Sequence, residues 1–214
     1  MEGALQASTR RLTAEQRRRQ LCSVALELFA VRGYRATTMD DIAEAAGVTK
    51  PLVYQHFSSK RALYLELVDS VAQDLLVAIG EATSTAAGPR QQVEGGFAAY
   101  FRMMVSHEAA FRLLYGRDHA GDEELGDALR RVEDAIAEAI DPLIDAGLSP
   151  EHRHLLAYAV VGMAEGASRE WIARRAGSNG AAITDAARLE REALRLAARM
   201  ADLAWAGLRS VHAD

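Results

Sequence analysis

The sequence is short of several residue types, and each shortage excludes a class of protein. Its 214 residues include one cysteine, Cys22, which allows neither an intrachain disulfide nor a multi-cysteine metal site. Glycine and proline number only 16 and 4 while half of the residues are apolar, which excludes a collagen-like or disordered chain. No apolar run approaches ~20 residues, and the first residues lack the apolar segment of a secretory signal. We therefore expect a globular, cytoplasmic protein without a membrane span.

The sequence also lacks the motifs of the common catalytic and cofactor sites. It contains no HExxH, GxSxG, GxGxxG or GxxxxGK[ST] pattern. The six histidines form no spaced set of metal ligands, and His152 and His154 are two apart near a helix start, so they face different directions. We therefore expect no enzyme activity, no catalytic residue, no bound metal and no cofactor.

Positive charge is scarce and concentrated near the N-terminus. The chain carries a net charge of −5, yet residues 1–60 hold nine basic and six acidic groups, against sixteen and twenty-four in residues 61–214. The only two lysines, Lys50 and Lys60, lie in the basic part, where the Arg17–Arg19 cluster is typical of a solvated face that adds long-range attraction. This asymmetry indicates that the first sixty residues face a polyanion such as DNA.

The basic part of the chain contains two short predicted helices joined by a glycine turn. Thr38 and Asp41 form a capping box that begins the first helix. Gly47 ends it, because glycine adopts the left-handed conformation after a helix C-terminus. Thr49 caps the second helix and Pro51 lies in its first turn. Two such helices form a helix-turn-helix, whose second helix enters the major groove.

The second helix is predicted to expose an unusual set of side chains. Val53 and Phe57, four apart, face inward, which leaves an aromatic, an amide, an imidazole and an ammonium group outside. An ordinary polar face would explain such a helix in isolation, but the glycine turn before it and Lys60 after it favour DNA. Phosphate contacts are expected from Lys60, Thr38 and Tyr54, and base contacts from Thr49, Lys50, Leu52 and Gln55. The full set of predicted DNA-binding residues is Thr38, Thr49, Lys50, Pro51, Leu52, Tyr54, Gln55, His56 and Lys60.

The run from Gly47 to Phe57, followed by Ser59-Lys60, resembles the DNA-binding motif of the tetracycline-repressor (TetR) family. The resemblance covers residues 14–68 and also rests on Phe29-Ala30, Gly33-Tyr34, Thr37-Thr38 and Ile42-Ala43. The chain departs from the family pattern in having Gln55 where a second aromatic is common and Leu52 where a small residue is common. The resemblance implies a homodimeric repressor that a small apolar or aromatic effector releases from double-stranded operator DNA. An activator, a ligand-independent regulator, and an enzyme or carrier with a structural helix-turn-helix are the alternatives.

The expected fold is all-α, with an N-terminal three-helix helix-turn-helix domain and a larger C-terminal helical domain for ligand binding and dimerisation. We place a mobile arm at residues 1–12, in which Arg10 and Arg11 reach a minor groove or are simply solvated. The DNA-binding domain follows at residues 13–59 and the larger domain at 60–214. Apolar periodicity predicts six helices in the larger domain, and Pro142 should kink or restart one of them.

Two features of the larger domain suggest binding surfaces. Its aromatics and methionines fit either an ordinary core or the wall of a ligand cavity. The candidate cavity residues are Phe97, Tyr100, Phe101, Met104, His107, Phe111, Tyr115, Ile136 and Tyr158. The last two helices carry glycines four apart and apolar residues in 4-3 spacing, which fits packing within the chain or against a second copy. The candidate dimer residues are Ala159, Gly162, Gly166, Leu189, Leu196, Met200 and Leu203; the resemblance implies the dimer.

Overall fold

The computed structural model describes residues 12–115, 123–144, 147–177 and 185–211. In these ranges the chain forms nine α-helices and no strand, which confirms the predicted fold class. The helices are α1 (Ala14–Arg32), α2 (Met39–Ala45), α3 (Lys50–His56), α4 (Lys60–Ser84), α5 (Pro89–Ser106), α6 (Glu108–Tyr115), α7 (Glu123–Ile140), α8 (Pro150–Gly177) and α9 (Ala186–Leu208). Pro142 lies in a 3₁₀ turn at Asp141–Leu143, where α7 has ended. The predicted loop at 116–122 and all but the last residue of the predicted arm lie outside the described residues.

Local hydrogen bonds place the ends of the first helices. Thr38 Oγ1 accepts from the Asp41 amide at 3.1 Å, and an Asp41 carboxylate oxygen accepts from the Thr38 amide at 2.7 Å. Gly47 has φ +64°, and its amide donates to the Glu44 carbonyl at 3.0 Å while the Val48 amide donates to the Ala43 carbonyl at 2.9 Å. This pair of bonds is a Schellman motif, so glycine is needed at the turn. Both ends of α2 thus form as predicted.

Helices α1, α2 and α3, here called the head, enclose a small core of their own. Its fully buried members include Leu21, Ala25, Ile42 and Val53. Phe29 extends this core towards α4 by packing edge-on against Tyr64, with ring centroids 5.6 Å apart. The head is therefore built around α1 and closed from below by the first turns of α4.

Helix α4 connects the head to helices α5–α9, here called the body. Ser59 Oγ caps α4 by accepting from the Ala62 amide at 3.0 Å. Tyr64, on the second turn, donates from its hydroxyl to the Leu113 carbonyl of α6 at 2.9 Å. The buried residues of head and body form one continuous hydrophobic cluster. The packing therefore shows no boundary at residue 59, and the predicted division into a DNA-binding and a ligand-binding domain stays a prediction.

In the body, α5 packs between α4 and α9. A Cβ added at Gly95 would lie 3.1 Å from the Ala82 carbonyl oxygen, so this glycine allows a close approach of α5 to α4. On its other side α5 meets a face of α9 that carries small side chains. The buried residues of α9 are Ala193, Ala197, Ala201 and Ala204.

Candidate DNA-binding surface and interior cavity

Helix α3 presents its polar side outward, as the sequence predicts. Val53 is fully buried and Phe57 is 2% exposed, so both belong to the head core. Tyr54 is 45% exposed on the opposite side, although it is a large aromatic residue. Gln55, Thr49, Lys50 and Pro51 are exposed with it, whereas Leu52 and His56 are half-buried. The surface has the composition of a DNA-reading helix, and the individual base contacts stay predictions.

Thr49 differs from the expectation in one respect. It occupies the N-cap position of α3, but its side chain makes no capping hydrogen bond. The helix begins instead with Pro51 in its first turn, where the missing amide N–H costs nothing. The side-chain cap that the sequence predicts at Thr49 is therefore absent.

The two lysines are engaged within the protein. Lys50 Nζ lies 2.9 Å from Asp40, which raises the pKa of the lysine. Lys60 Nζ donates to the carbonyls of Tyr34 at 2.6 Å and Thr37 at 2.7 Å, and lies 4.3 Å from the centroid of the Tyr34 ring. Burial lowers the pKa of Lys60. Lys60 thus has a structural role that sequence reasoning missed, and a phosphate contact would use its third N–H. The Thr38 hydroxyl is likewise engaged in the α2 cap.

Arg18 is the functional candidate of the head that sequence reasoning missed, since it lies in a cluster interpreted as a solvated face. Its guanidinium donates to the His56 carbonyl at 2.5 Å and to Glu66 Oε1 at 2.7 Å. The same group lies 4.3 Å from the centroid of the Phe57 ring. Arg18 therefore joins α1, the C-terminus of α3 and α4. The partners of Arg18 are far from it in the sequence, so the spacing of residues within α1 could not predict these contacts.

An interior cavity of about 430 Å³ lies in the body. It is bounded by α4, α5, α7, α8, α9 and the 3₁₀ turn. The lining residues are Ile79, Thr83, Pro89, Gln92, Val93, Gly96, Phe97, Tyr100, Ile136, Ile140, Leu143, Ile144, Val160, Val161, Ala164, Trp205, Leu208, Arg209 and Val211. A concave site of this size with a mainly apolar wall suits a small apolar ligand.

Three of the nine predicted cavity residues line this cavity: Phe97, Tyr100 and Ile136. The other six lie outside the cavity wall, because contacts with other helices or with solvent, which the apolar periodicity of one helix does not reveal, decide their position. Phe101, Met104 and Phe111 are fully buried, and the rings of Phe101 and Phe111 pack edge-on against Tyr100 in the core. His107 is exposed beside Ser106, Tyr115 packs against Phe111, and the Tyr158 hydroxyl donates to Asp134.

Polar groups lie behind the deep wall of the cavity. Ser168 Oγ is 3.1 Å from the Tyr100 hydroxyl and 2.9 Å from the Ala164 carbonyl. Glu165 is 6% exposed, and Arg169 donates to one of its oxygens at 3.1 Å. Burial and the neighbouring Glu133 carboxyl raise the pKa of Glu165 to about 7. The ion pair between Glu165 and Arg169, four residues apart on α8, does not cancel the cost of burying the acid.

Four of the seven predicted dimer residues are exposed in the described part of the chain. Ala159, Gly162 and Gly166 of α8 are exposed, and a Cβ added at either glycine would meet no atom within 4 Å. Leu203 of α9 is 60% exposed. The predicted α9 residues Leu189, Leu196 and Met200 are half-buried. The part of this face formed by Ala159, Gly162, Gly166 and Leu203 is therefore not covered by the described residues.

The described residues contain no group of three or more histidine, cysteine or acidic side chains placed to hold a metal ion. None of the helices in the described ranges combines the length and apolar content that a bilayer crossing requires.

Comparisons with known proteins agree with this geometry. Residues 21–67 match the family model of bacterial regulatory proteins of the tetR family. The HTH-type transcriptional activator FasR of Mycolicibacterium smegmatis is 32% identical to the chain over 164 residues, which is 76% of this chain and 75% of that protein. The chain belongs to the TetR family.

Other TetR-family proteins show the same likeness over parts of the chain or in the fold. The repressor KstR2 of Mycobacterium tuberculosis is 36% identical over 93 residues, covering 44% of this chain and 46% of that protein. A TetR-like regulator from Rhodococcus sp. RHA1 superimposes with a TM-score of 0.72 at 24% identity, covering 94% of this chain and all of that one. This TetR-family member is therefore a DNA-binding transcriptional regulator.

Proposed function

We propose that the protein is a homodimeric repressor that leaves its operator when a small apolar ligand enters the body cavity. The observation that carries the proposal is the position of α4. Its C-terminal part contributes Ile79 and Thr83 to the cavity wall, and its first turns touch the head through Lys60 and Tyr64. One helix therefore contacts both the candidate ligand site and the DNA-reading unit.

Two copies of α3 would enter successive major grooves about 34–36 Å apart and read a pseudo-palindromic site. Tyr54 and Gln55 are exposed side by side on α3 and suit a phosphate and an adenine edge respectively. Lys50, held by Asp40, would exchange that partner for DNA. The base-reading roles of Thr49 and Leu52 belong to this proposal.

Dimerisation is supported by the uncovered face of α8 and α9. Glycines at 162 and 166 each cost about 1 kcal/mol of helix stability relative to alanine, and no atom of the described residues lies within 4 Å of a Cβ added at either position. A second copy packed across this face would use that space. The two heads would then be held at a fixed separation, as binding to two half-sites requires.

Ligand release would work through differential affinity. A ligand in the cavity shifts the equilibrium only if it binds one arrangement of α4 better than the other. A ligand that fits between Ile79 of α4 and Ile136 of α7 best when the heads are apart would weaken operator binding. The protein would have no enzymatic step in this cycle.

An activator is the second candidate, because FasR, which matches over three quarters of the chain, is named a transcriptional activator. Transcription in vitro from a promoter that carries the bound sequence separates the two. A repressor lowers transcript yield, and an activator raises it.

The central test is a selection of bound sequences from random duplexes, followed by anisotropy titrations at several salt concentrations. We expect a pseudo-palindromic consensus and a log–log salt slope of about −0.9 for each phosphate neutralised. A scrambled duplex of equal length is the control. Absence of any salt-sensitive preference for the selected duplex would contradict the repressor and activator candidates alike.

A further inference from the structure

The cavity is elongated and has one closed and one open end. It follows α5 from Pro89 to Tyr100, which corresponds to about 16 Å at the helical rise of 1.5 Å per residue. At the closed end Phe97, Tyr100 and Ala164 are 4–6% exposed. At the open end Pro89 and Arg209 are exposed. A ligand would therefore lie along α5 with one end reaching solvent.

The polar groups inside the cavity are already bonded. Thr83 Oγ1 donates to the Ile79 carbonyl at 2.9 Å, and the Tyr100 hydroxyl is bonded to Ser168 at 3.1 Å. The Thr83 hydroxyl proton is used by the Ile79 carbonyl, and the Tyr100 hydroxyl is bonded to both Ser168 and Tyr115. Among the described lining residues, the closed end therefore offers an anionic head group no free hydrogen-bond donor.

The open end has a different character. Arg209 is the single charged residue of the described lining. The ion pairs found among the described residues do not include Arg209, in contrast to nearby Arg90, which bridges Glu94 at 2.7 Å and Asp202 at 3.3 Å. Gln92 adds an amide at the same end, on the second turn of α5.

Two helix ends meet at the mouth and carry opposite partial charges. The N-terminus of α5 is positive and has no acidic residue in its first turn, whereas the C-terminus of α9, which packs antiparallel to α5, is negative. Because these two partial charges offset each other, the net positive charge at the mouth is that of the Arg209 guanidinium, which follows α9 directly. A cation and an amide therefore lie at the mouth of an otherwise apolar cavity.

We propose that the ligand of this cavity is an anionic amphiphile, with a slender apolar tail along α5 and a carboxylate or phosphate head at Arg209 and Gln92. The proposal rests on the proposed function only in taking this cavity as the effector site. Neutral apolar molecules would fill the tail region but leave the Arg209 guanidinium without a partner. Cationic amphiphiles would place like charges together at the mouth.

Tryptophan fluorescence gives a direct assay of binding. The chain has two tryptophans, and Trp205 lines the cavity while Trp171 is buried between α8 and α9 and bonded to Glu192. A Trp171→Phe variant leaves Trp205 as the reporter. Dodecanoate, dodecyl phosphate, dodecanol and dodecylamine are titrated into full-length protein below their micelle concentrations.

We expect dodecanoate or dodecyl phosphate to bind about tenfold tighter than dodecanol, since the charged head gains the attraction of the Arg209 guanidinium while the apolar tail is the same. Dodecylamine should bind more weakly than dodecanol. The ratio between the two anions tells a carboxylate head from a phosphate head. Equal affinity for the anions and dodecanol, or no binding of either anion, would overturn the proposal.

Arg209→Gln in the same background tests the head-group site. We expect it to bring anion affinity close to that of dodecanol, while dodecanol affinity stays unchanged. Arg188→Gln, an exposed arginine at the other end of α9, is the matched control and should keep the anion preference. Retention of the preference in Arg209→Gln would exclude Arg209 as the head-group partner. Because fluorescence is read without DNA, failure here leaves the operator-binding test unaffected.

Discussion

At the residue scale, Arg18 is the side chain through which α3 is joined to α4. The His56 carbonyl is at the last residue of α3, and Arg18 links it to Glu66 while covering the Phe57 ring. The last carbonyls of a helix have no donor within the helix, and the helix C-terminus carries a partial negative charge. An arginine at this point donates to one of these carbonyls, and its positive charge is attracted by the helix end. Arg18 therefore helps to hold the C-terminus of α3 against α4, in addition to the packing of Val53 and Phe57 in the head core.

We predict that Arg18→Met lowers operator affinity about tenfold, because α3 loses its bonded link to α4 while the methylene stem still covers Phe57. Unfolding free energy should fall by only ~1 kcal/mol, since the Arg18–Glu66 pair is about one-third exposed. Anisotropy and urea denaturation measure the two effects. Arg19→Met, next along α1 and 71% exposed, is the control. A loss of stability without a loss of affinity would assign Arg18 a purely structural role.

Glu165 makes the stability of the body depend on pH. Burial is the first cause of its raised pKa, from 4.5 to about 7, and the neighbouring Glu133 is the second. Between these two pH values the folded state keeps a proton that the unfolded state has lost. The free energy of unfolding therefore falls as pH rises through this window and is constant above it, as far as this group is concerned.

We predict that Glu165→Gln raises the free energy of unfolding at pH 8 relative to the parent protein, by about 1–3 kcal/mol, and leaves it nearly unchanged at pH 4.5. The amide has no charge to bury and can still donate to Glu133. Urea denaturation at both pH values measures the difference. Glu170→Gln on the same helix, where the acid is exposed and paired with Arg174, is the control. An equal change at both pH values would rule out titration of Glu165 as the cause.

At the element scale, the packing of α5 on α4 depends on Gly95. The 3.1 Å separation between an added Cβ and the Ala82 carbonyl oxygen involves backbone of a long helix, which cannot move aside as a side chain can. Alanine would gain about 1 kcal/mol in helix propensity, whereas overpacking costs about 1–3 kcal/mol. The balance therefore favours glycine.

We predict that Gly95→Ala lowers the free energy of unfolding by about 1 kcal/mol or slightly more. The matched control is Gly80→Ala on α4, where an added Cβ meets nothing within 4 Å and should stabilise the protein by ~0.5–1 kcal/mol. Thermal unfolding of both variants gives the comparison. Stabilisation by both substitutions would show that α5 has room to move away from α4.

The elements themselves were predictable because their signals are local. The capping box at Thr38 and the glycine turn at Gly47 each involve residues within five positions of one another, and both form as predicted. The cavity was not predictable in the same way. Periodicity identifies the apolar face of α5, but which aromatics cover each other and which border empty space depends on how five helices meet. Phe101 and Phe97 share that face, and only Phe97 reaches the cavity.

On α9 as well, the residues that are buried depend on the neighbouring helix and not only on the spacing of apolar residues in the sequence. The 4-3 spacing predicts a seam that contains Leu189, Ala193, Leu196 and Leu203. In the structure Ala193 of this seam is buried together with Ala197, Ala201 and Ala204, whereas Leu189 and Leu196 are half-buried and Leu203 is exposed. Small residues fit where two helices come close, so their burial follows from the neighbour and not from their own hydrophobicity.

At the scale of the whole molecule, the exposed leucines and glycines of α8 and α9 have a consequence for assembly. Exposed apolar residues scattered singly are ordinary, but Leu155 at 66% and Leu203 at 60% exposure lie on the same two helices as the uncovered glycines. If the protein reads two half-sites, as we propose, a surface of this kind favours a symmetric pair, in which each residue meets its counterpart in the second copy.

We predict that Leu203→Glu makes the protein monomeric, because a dimer would bury one carboxylate from each subunit without a partner. The folded helical content should be unchanged, since Leu203 is outside the chain's own core. Light scattering after size exclusion measures the mass, and anisotropy should show operator affinity reduced at least about tenfold as one half-site contact is lost. Val77→Glu, an equally exposed apolar residue on α4, is the matched control and should stay dimeric. If Leu203→Glu keeps the dimer mass, or if a folded monomer binds the full operator as tightly as the parent protein, then α8 and α9 are not the surface that holds two heads on DNA.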